Sequence, residues 1–366
     1  MFCLTGKTAF QYLNNMPNTI KFDYQVLENG SFRIEEYFNT SRNSTFIVRY
    51  VLGNMNYKYF LKQPKNDDNN FITSITNESR FFDYIEKYEI VLSELTPRIY
   101  FDKENKILLF NSDQNYNAIK FEEFKNLLVD KQNLFGKSMA QILANLHKSL
   151  KGQEKTSFLS IYKPFLLSPE SRGLMIEKLK KESNLQLQNL ASRLEDIKTQ
   201  SVLDSIEWNA TDSIIHRDVK YENLLLNKTD SEINLKLIDW EMAAVGDSHY
   251  DLADFCYYLF RCCKTVGKYE LGIVPASLFS IIKSIIIKYH EIRYDSAKPN
   301  NDFFKKIYQL CQVRIIENYI INVLSGNYSG GYANIEYEKR VIGFWGFIDP
   351  DNVLKNDYYL NFKIGL

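Results

Sequence analysis

Apolar residues change their period along the chain. Between residues 20 and 64 they fall in short runs rich in Phe, Tyr, Ile and Val, separated by polar turns. Residues 32–38 (FRIEEYF) alternate as a half-buried strand does, and 45–52 (TFIVRYVL) and 57–63 (YKYFLKQ) read as two more. The segments between them, 39–44 (NTSRNS) and 53–56 (GNMN), have turn composition, so the three runs predict an antiparallel meander. Residues 71–88 carry apolar side chains at helical spacing and predict a helix. Residues 97–102 and 106–111 predict two further strands around a turn at 103–105. From about residue 117 long amphipathic stretches take over, at 121–130, 137–150, 168–199 and 276–293. A strand-rich block with one helix, then a helix-rich block, predicts an α+β protein of two lobes. The expected N-terminal lobe spans 1–111 and the helical C-terminal lobe 112–366, with the boundary near 111–113.

Composition narrows the class. Over 366 residues, 45% are hydrophobic and 25% charged, as in an ordinary globular protein with a full core. Lys+Arg and Asp+Glu are both 45, a balance that argues against nucleic acid or an anionic membrane as partner. The five cysteines are odd in number, contain no Cys-x-x-Cys pair, and crowd three into 256–263. They read as buried thiols of a reducing compartment, not a disulfide framework. The opening MFCLTGKTAFQYL lacks a basic stretch followed by an apolar run, so no signal peptide is expected. The greasiest stretch, 278–289, is broken by Lys283 and Lys288 and falls short of the roughly 20 apolar residues that span a bilayer. The expectation is a cytoplasmic enzyme or binding protein.

The chemistry concentrates in residues 214–255. Ile214-Ile215 lead into His216-Arg217-Asp218, and Asn223 follows five residues after Asp218. Residues 224–226 and 235–238 read as two short strands around the polar turn 227–232, and the second ends at Asp239. Pairing these strands brings Asp218 and Asn223, before the first, and Asp239, after the second, to one edge. Two carboxylates and a carboxamide are hard oxygen donors suited to Mg²⁺ beside phosphates. One carboxylate is left to orient or deprotonate a hydroxyl, which is the division of labour in phosphoryl transfer.

This constellation resembles the catalytic and metal-binding loops of the protein-kinase-like superfamily. Within it, Ile238-Asp239-Trp240-Glu241 and the stretch from Gly246-Asp247 to Tyr250-Asp251-Leu252-Ala253 look like the aminoglycoside phosphotransferase and choline kinase branch, as does Leu146-His147 closing a helix. No Asp-Phe-Gly or later Ala-Pro-Glu follows, whereas Arg217 and Lys220 match the protein-kinase form of the loop. The resemblance implies that Asp218 orients the acceptor hydroxyl and accepts its proton, that Lys220 approaches the transferring phosphate, and that Asn223 and Asp239 hold Mg²⁺. His216 and Asp251 are implied to be scaffold. Glu241 is expected either to lend a carboxylate to a second metal or to be solvated or salt-bridged.

The resemblance also assigns roles in the first lobe. Lys62, on the third predicted strand, would grip the nucleotide phosphates, held by Glu78 on the following helix. Ser41, Asn43 and Ser44 fall where a phosphate-covering turn belongs. Phe110 and Ser112, flanking Asn111, fall where an interlobe hinge would meet adenine. The implied activity is an ATP-dependent phosphotransferase, with GTP also possible, acting on the hydroxyl of a small molecule. The eleven residues between Asp239 and Asp251 leave little room for a peptide platform. A protein or peptide kinase and a nucleotide-binding protein without turnover stand as the alternatives. Two short matches carry nothing. Gly6-Lys7-Thr8 lacks the glycine and strand that precede a P-loop lysine, and His290-Glu291 lacks the second histidine of a zinc helix, with Tyr294 in its place.

Overall fold

The computed structural model describes residues 31–39, 43–52, 55–64, 69–87, 98–102, 107–112, 116–151, 158–183, 185–229, 231–264, 275–295 and 298–324. Contacts divide the chain into two compact units. The first comprises Met1–Lys120, Ser157–Leu159 and Tyr221–Ala243; the second comprises Phe121–Thr156, Ser160–Lys220 and Ala244–Leu366. The hairpin that ends at Asp239 therefore groups with the N-terminal sheet, although a hundred residues of sequence intervene.

The first unit is built on a five-stranded antiparallel sheet of order β1-β2-β3-β5-β4. Its strands are β1 (Ser31–Asn39), β2 (Asn43–Leu52), β3 (Met55–Pro64), β4 (Arg98–Asp102) and β5 (Ile107–Ser112). The meander is present as the alternation predicts, and the β2–β3 register runs unbroken from Asn43↔Pro64 to Leu52↔Met55. Phe46, Ile47 and Leu61 are buried on this sheet. Helix α1 (Asn69–Lys87) follows β3. It buries Ile75, Glu78, Phe81 and Tyr84, a one-sided i, i+3 stripe. The short β6 (Asn117–Ala118) pairs with β8 (Leu224–Lys228), which pairs in turn with β9 (Ile233–Leu237). A 3₁₀ turn, Trp240–Met242, ends this segment, and its Trp240 stacks on Phe81 with ring centroids 3.9 Å apart. Dispersion and burial of two large rings thus tie the end of the hairpin to α1.

The second unit is mainly helical. Its helices are α2 (Phe121–Asp130), α3 (Gln132–Ser149), α4 (Pro169–Lys181), α5 (Leu185–Glu195), α6 (Ile197–Asp204), α7 (His249–Lys264), α8 (Pro275–Tyr294) and α9 (Asn301–Leu324). The long amphipathic stretch over 168–199 divides among three helices. Glu182 adopts an extended ψ of 145° after α4. Asp196 then starts a new helix by accepting from the amides of Lys198 and Thr199. An aspartate that caps a helix end competes with helix continuation, and the apolar period alone does not register it. Helix α3 packs along α8, and α9 along α7. Gly136 sits at the first of these contacts; a Cβ there would lie 3.4 Å from Ile285 Cγ1.

Two three-residue strands, β7 (Ser213–Ile215) and β10 (Ala244–Gly246), pair antiparallel. They are too short for a period to reveal. Val245 also exchanges backbone hydrogen bonds with the 160–162 segment, accepting from Tyr162 and donating to Ser160. Among the described residues, Cys256 and Cys311 are buried free thiols. Among the described residues no helix is long and apolar enough to cross a membrane.

The β7–β10 pair leads directly into His216, and its packing leaves no spare volume. A Cβ on Gly246 would sit 2.6 Å from Ile215 Cδ1 and 3.2 Å from Trp208 Cζ2. Ile215 is fully buried, so it has no solvent side to retreat to. Gly246→Ala is expected to destabilise the fold by about 1–3 kcal/mol, read as a lowered midpoint in urea unfolding. An unchanged midpoint would show that the strand pair tolerates the added methyl.

Candidate active site

In the first unit, β3, α1 and the 3₁₀ turn converge on one ammonium group. Lys62 is buried on β3, opposite Thr45 of β2 and Leu108 of β5. Its Nζ donates to Glu78 Oε2 at 3.1 Å, to Glu241 Oε2 at 3.1 Å, and in a short contact to Asp239 Oδ1. Glu78 is fully buried on α1, and its other oxygen accepts the Trp240 amide at 3.0 Å. One carboxylate therefore holds both the lysine and the backbone beside Asp239. Burial pushes the Glu78 carboxyl up to about 7, while Lys62 pulls it down. For Lys62 burial favours the neutral amine, but Glu78, Asp239 and Glu241 outweigh it and hold the ammonium well above its ordinary value.

Asp239 stands in the left-handed region with φ 69°, a conformation uncommon for non-glycine residues but one that aspartate adopts more readily than most. The turn that follows it is held from α1. Asn77, next to Glu78 on α1, donates its side-chain amide to the carbonyls of Glu241 and Ala243 at 2.9 and 2.8 Å. Asn77 was not among the sequence candidates, and its only signal was adjacency to Glu78. Glu241 is salt-bridged to Lys62, one of its two expected fates. Asn223 closes the 3₁₀ turn Tyr221–Asn223 and is buried. Its carbonyl accepts the Ile238 amide at 2.9 Å, which sets Asn223 against the residue preceding Asp239. Of the three residues expected at the edge of the paired strands, Asn223 and Asp239 share it, with register Leu224↔Leu237, whereas Asp218 belongs to the second unit.

In the second unit, β7 delivers His216, Arg217 and Asp218. Arg217 is left-handed, with φ 69°. Its amide and that of His216 donate to the two oxygens of Asp251, at 2.9 and 2.8 Å. Asp251 lies in the first turn of α7, and His147 at the end of α3 bonds it through Nε2 at 3.0 Å. His216 is fully buried and its Nδ1 accepts the Asp218 amide at 3.3 Å. His216 and Asp251 are thus scaffold, holding the loop by its backbone. Lys220 Nζ meets Asp218 Oδ2 at 2.6 Å. Burial disfavours the Asp218 carboxylate, but Lys220 first, then His216 and Arg314, reverse this and lower its pKa. Asp218 is therefore ionised at neutral pH.

Behind the loop, the Arg217 guanidinium stands 3.5 Å from the centroid of the Tyr162 ring. The Tyr162 hydroxyl donates to Tyr250 Oη at 3.1 Å and to Glu317 Oε2 at 3.4 Å, and Glu317 Oε1 accepts the Leu166 amide at 2.9 Å. Tyr162 and Glu317 belong to no short motif, and nothing in the sequence singled them out.

Of the remaining sequence candidates, Asn43, Ser44, Phe110 and Ser112 lie on the sheet of the first unit. Asn43 opens β2 opposite Pro64, and Ser44 faces Gln63 on one side and Asn39 on the other. Ser41 lies outside the described residues. Phe110 pairs with Phe60, and Ser112 with Lys58 at the end of β5. Among the described residues, no three histidine, cysteine or acidic side chains form a ready metal-binding group. The donors that suit a hard cation are the carboxylate of Asp239 and the carboxamide of Asn223, with phosphate oxygens left to complete its shell.

Residues 40–262 match the family described as "Phosphotransferase enzyme family", more than half of the chain. The chain belongs to that family. The phosphotransferase also shares its fold with solved structures across most of its length. It aligns with an ethanolamine kinase from Plasmodium vivax at TM-score 0.58 and 16% identity, covering 95% of this chain and 91% of that one. A choline kinase from Cryptosporidium parvum gives 0.58 and 14%, covering 97% and 100%. The complex of gentamicin with APH(2")-IIa gives 0.57 and 14%, covering 99% of each chain. The fold is therefore the protein-kinase-like one of these kinases, with antiparallel strands in the N-terminal part and a mainly helical C-terminal part. A stretch of 127 residues is also 30% identical to a probable serine/threonine-protein kinase KIN1 homolog of Encephalitozoon cuniculi. That match covers 31% of the phosphotransferase and only 22% of the curated relative.

Glu317 makes the phosphotransferase sensitive to pH in a definite direction. Burial raises its carboxyl from 4.5 to about 7, against the Leu166 amide and Arg314, which favour the charged form. Between those values the folded state keeps a proton that the unfolded state has lost. Its contribution is therefore fully present below about 4.5 and is lost as pH rises through about 7. Glu317→Gln removes this slope. Relative to the unsubstituted protein, it should gain roughly 2–4 kcal/mol between pH 5 and pH 8. Denaturant unfolding at the two pH values reads this; parallel pH dependences would contradict it.

Proposed function

We propose that the chain transfers the γ-phosphoryl group of ATP, with GTP as an admissible donor, to a hydroxyl of a small molecule in the presence of Mg²⁺. The observation that carries this reading is the buried Lys62–Glu78 pair, joined to Asp239 within a chain of the phosphotransferase family. A lysine so placed binds α- and β-phosphates, and its glutamate fixes its direction. The hard-oxygen pair Asn223 and Asp239 fits Mg²⁺. The metal, when bound, offsets the charge of the phosphates. Lys62 exchanges its contacts to Asp239 and Glu241 for phosphate oxygens, while Glu78, also tied to the Trp240 amide, stays in place.

Asp218 orients the acceptor hydroxyl and accepts its proton. Its lowered pKa keeps it in the form that can do so. Lys220, already on Asp218, steadies the phosphate that the hydroxyl approaches. The protein supplies positioning and fixed charge, and the nucleotide leaving group supplies the driving force.

The acceptor class follows from what lies between Asp239 and α7. That interval holds one 3₁₀ turn and β10, which is already paired with β7. No free strand remains there to lay a peptide along. Two of the similar solved structures are complexes of APH(2")-IIa with gentamicin and with streptomycin and ATP, and both antibiotics are small molecules. These points favour a small-molecule alcohol such as an amino alcohol, a sugar or an aminoglycoside. The second reading is a protein kinase. It rests on Lys220 at Asp218 and on the stretch similar to the KIN1 homologs. Radiolabelled ATP offered separately to a metabolite extract and to a native proteome distinguishes them. Label in the metabolite fraction supports the first reading; label confined to specific proteins and lost with Asp218→Asn supports the second.

Asp218→Asn should lower transfer by about 10³-fold or more while nucleotide affinity stays within a few-fold, because the group acts on the transition state. Isothermal titration beside a turnover assay gives both numbers, and wild-type turnover in the variant would remove Asp218 from the mechanism. Asp239→Ala should weaken Mg²⁺-dependent nucleotide binding and turnover together, by about tenfold or more. A titration with unchanged Mg·ATP affinity would take Asp239 out of the metal site.

A further inference from the structure

Asp218 is bracketed in sequence by Arg217 and Val219, and both neighbours are held from helix α9. The Val219 amide donates to Asp254 Oδ2 at 2.7 Å. Asp254 is buried on α7, three residues after Asp251 and so on the same helical face. Its other oxygen takes Arg314 Nε of α9 at 2.5 Å. One turn further along α9, Glu317 holds the Tyr162 hydroxyl and the Leu166 amide, and the Tyr162 ring faces the Arg217 guanidinium. Asp251 fixes the loop up to Arg217. Beyond it, the next backbone amide to be tied down by a carboxylate is that of Val219, and that carboxylate depends on Arg314.

We infer that Arg314 is a positioning residue for the catalytic loop, acting through Asp254 on the Val219 amide and so on the aim of Asp218. The family match ends at residue 262, so this part of the site lies outside the segment that defines the family. The physical case rests on burial. A carboxylate as deeply buried as Asp254 keeps its charge only beside a cation. Charged, it holds an amide more strongly than a neutral acceptor does. Arg314 is that cation, and its guanidinium also lies 5.8 Å from the Tyr257 ring centroid, which limits its freedom. Burial holds the Asp254 carboxyl above its ordinary value against the pull of Arg314, so loss of Arg314 would raise it further and weaken its grip on Val219. The hydrogen bond of Arg314 goes to Asp254, and its charge also favours the ionised form of Asp218.

The role in transfer rests on the proposed function of Asp218, whereas the effect on the loop does not, and one experiment separates the two. The full chain is prepared as Arg314→Gln, Arg314→Lys, Asp254→Asn and Asp218→Asn. Residue-resolved amide exchange is measured at Val219 and, as an internal control, at Ile215 in β7. Slow hydrolysis of Mg·ATP is followed as phosphate release, since it needs no known acceptor, and ATP affinity is measured directly. Arg314→Gln should speed Val219 exchange by about tenfold or more with Ile215 unchanged. Phosphate release should fall by about 10–100-fold at unaltered ATP affinity. Arg314→Lys should restore most of both, and Asp254→Asn should resemble Arg314→Gln. Unchanged exchange at Val219 in folded Arg314→Gln, or equal acceleration at Ile215, overturns the inference. If Val219 exchange responds as stated but Asp218→Asn hydrolyses ATP normally, the positioning of the loop stands and the proposed role of Asp218 falls.

Discussion

A single buried carboxylate sets the shape of the catalytic loop. Between β7 and the 3₁₀ turn the chain passes through left-handed Arg217, and such a turn points consecutive amides inward, where water cannot reach them. Asp251 accepts both, those of His216 and Arg217. Burial disfavours its charge, but the His147 hydrogen bond, the histidine rings and these amides outweigh it and lower its pKa. Other features of this unit follow from that requirement. Helix α7 must begin at His249 so that Asp251 falls in its first turn. Helix α3 must end with His147 against Asp251, and Tyr289 of α8 fixes the other ring nitrogen at 2.8 Å. Gly246 must lack a side chain so that β10 can close on β7.

The first unit solves a different electrostatic problem. Lys62 is buried, and a buried ammonium without partners would lose its proton. Three carboxylates surround it, more negative charge than one lysine balances. The excess is tolerable because Glu78, the deepest, is pushed toward its neutral form and because the Asp239 side chain retains 30% of its exposure. A lysine held mainly by exchangeable partners can let go of them, whereas one locked in a closed pair would resist an incoming phosphate. Glu78 is the contact suited to persist, since it also carries the amide of Trp240, whose ring stacks on Phe81.

Both units therefore use the same device, an acidic side chain on a helix that accepts backbone amides of a loop. Glu78 does so for Trp240, Asp251 for His216 and Arg217, and Asp254 for Val219. A carboxylate accepting an N–H makes a stronger bond than a neutral acceptor, and a helix is a rigid mount for it. Loops that carry chemistry gain the precision of regular structure in this way, without forming regular structure themselves.

Much of this was legible in the sequence because it is local. The alternation in 32–38, 45–52 and 57–63 determined three strands of the sheet, and the two short runs before and after 227–232 determined the hairpin that sets Asn223 beside Asp239. The spacing from His216 to Asp251 carried the family resemblance, and Lys62 and Glu78 followed from their places on a strand and the next helix. Other features depend on contacts that no local period encodes. The break of 168–199 into three helices turns on the extended Glu182 and on the capping Asp196. The strands β7 and β10 exist only because each finds the other across thirty residues of sequence. Asn77, Tyr162, Asp254, Arg314 and Glu317 are ordinary polar residues in ordinary helices and loops until the chain is packed. Which elements are strand or helix is set by side-chain period over a few residues, and that the sequence alone determined. Which carboxylate meets which amide is set by the packing of elements distant in sequence, and that only the tertiary structure decided.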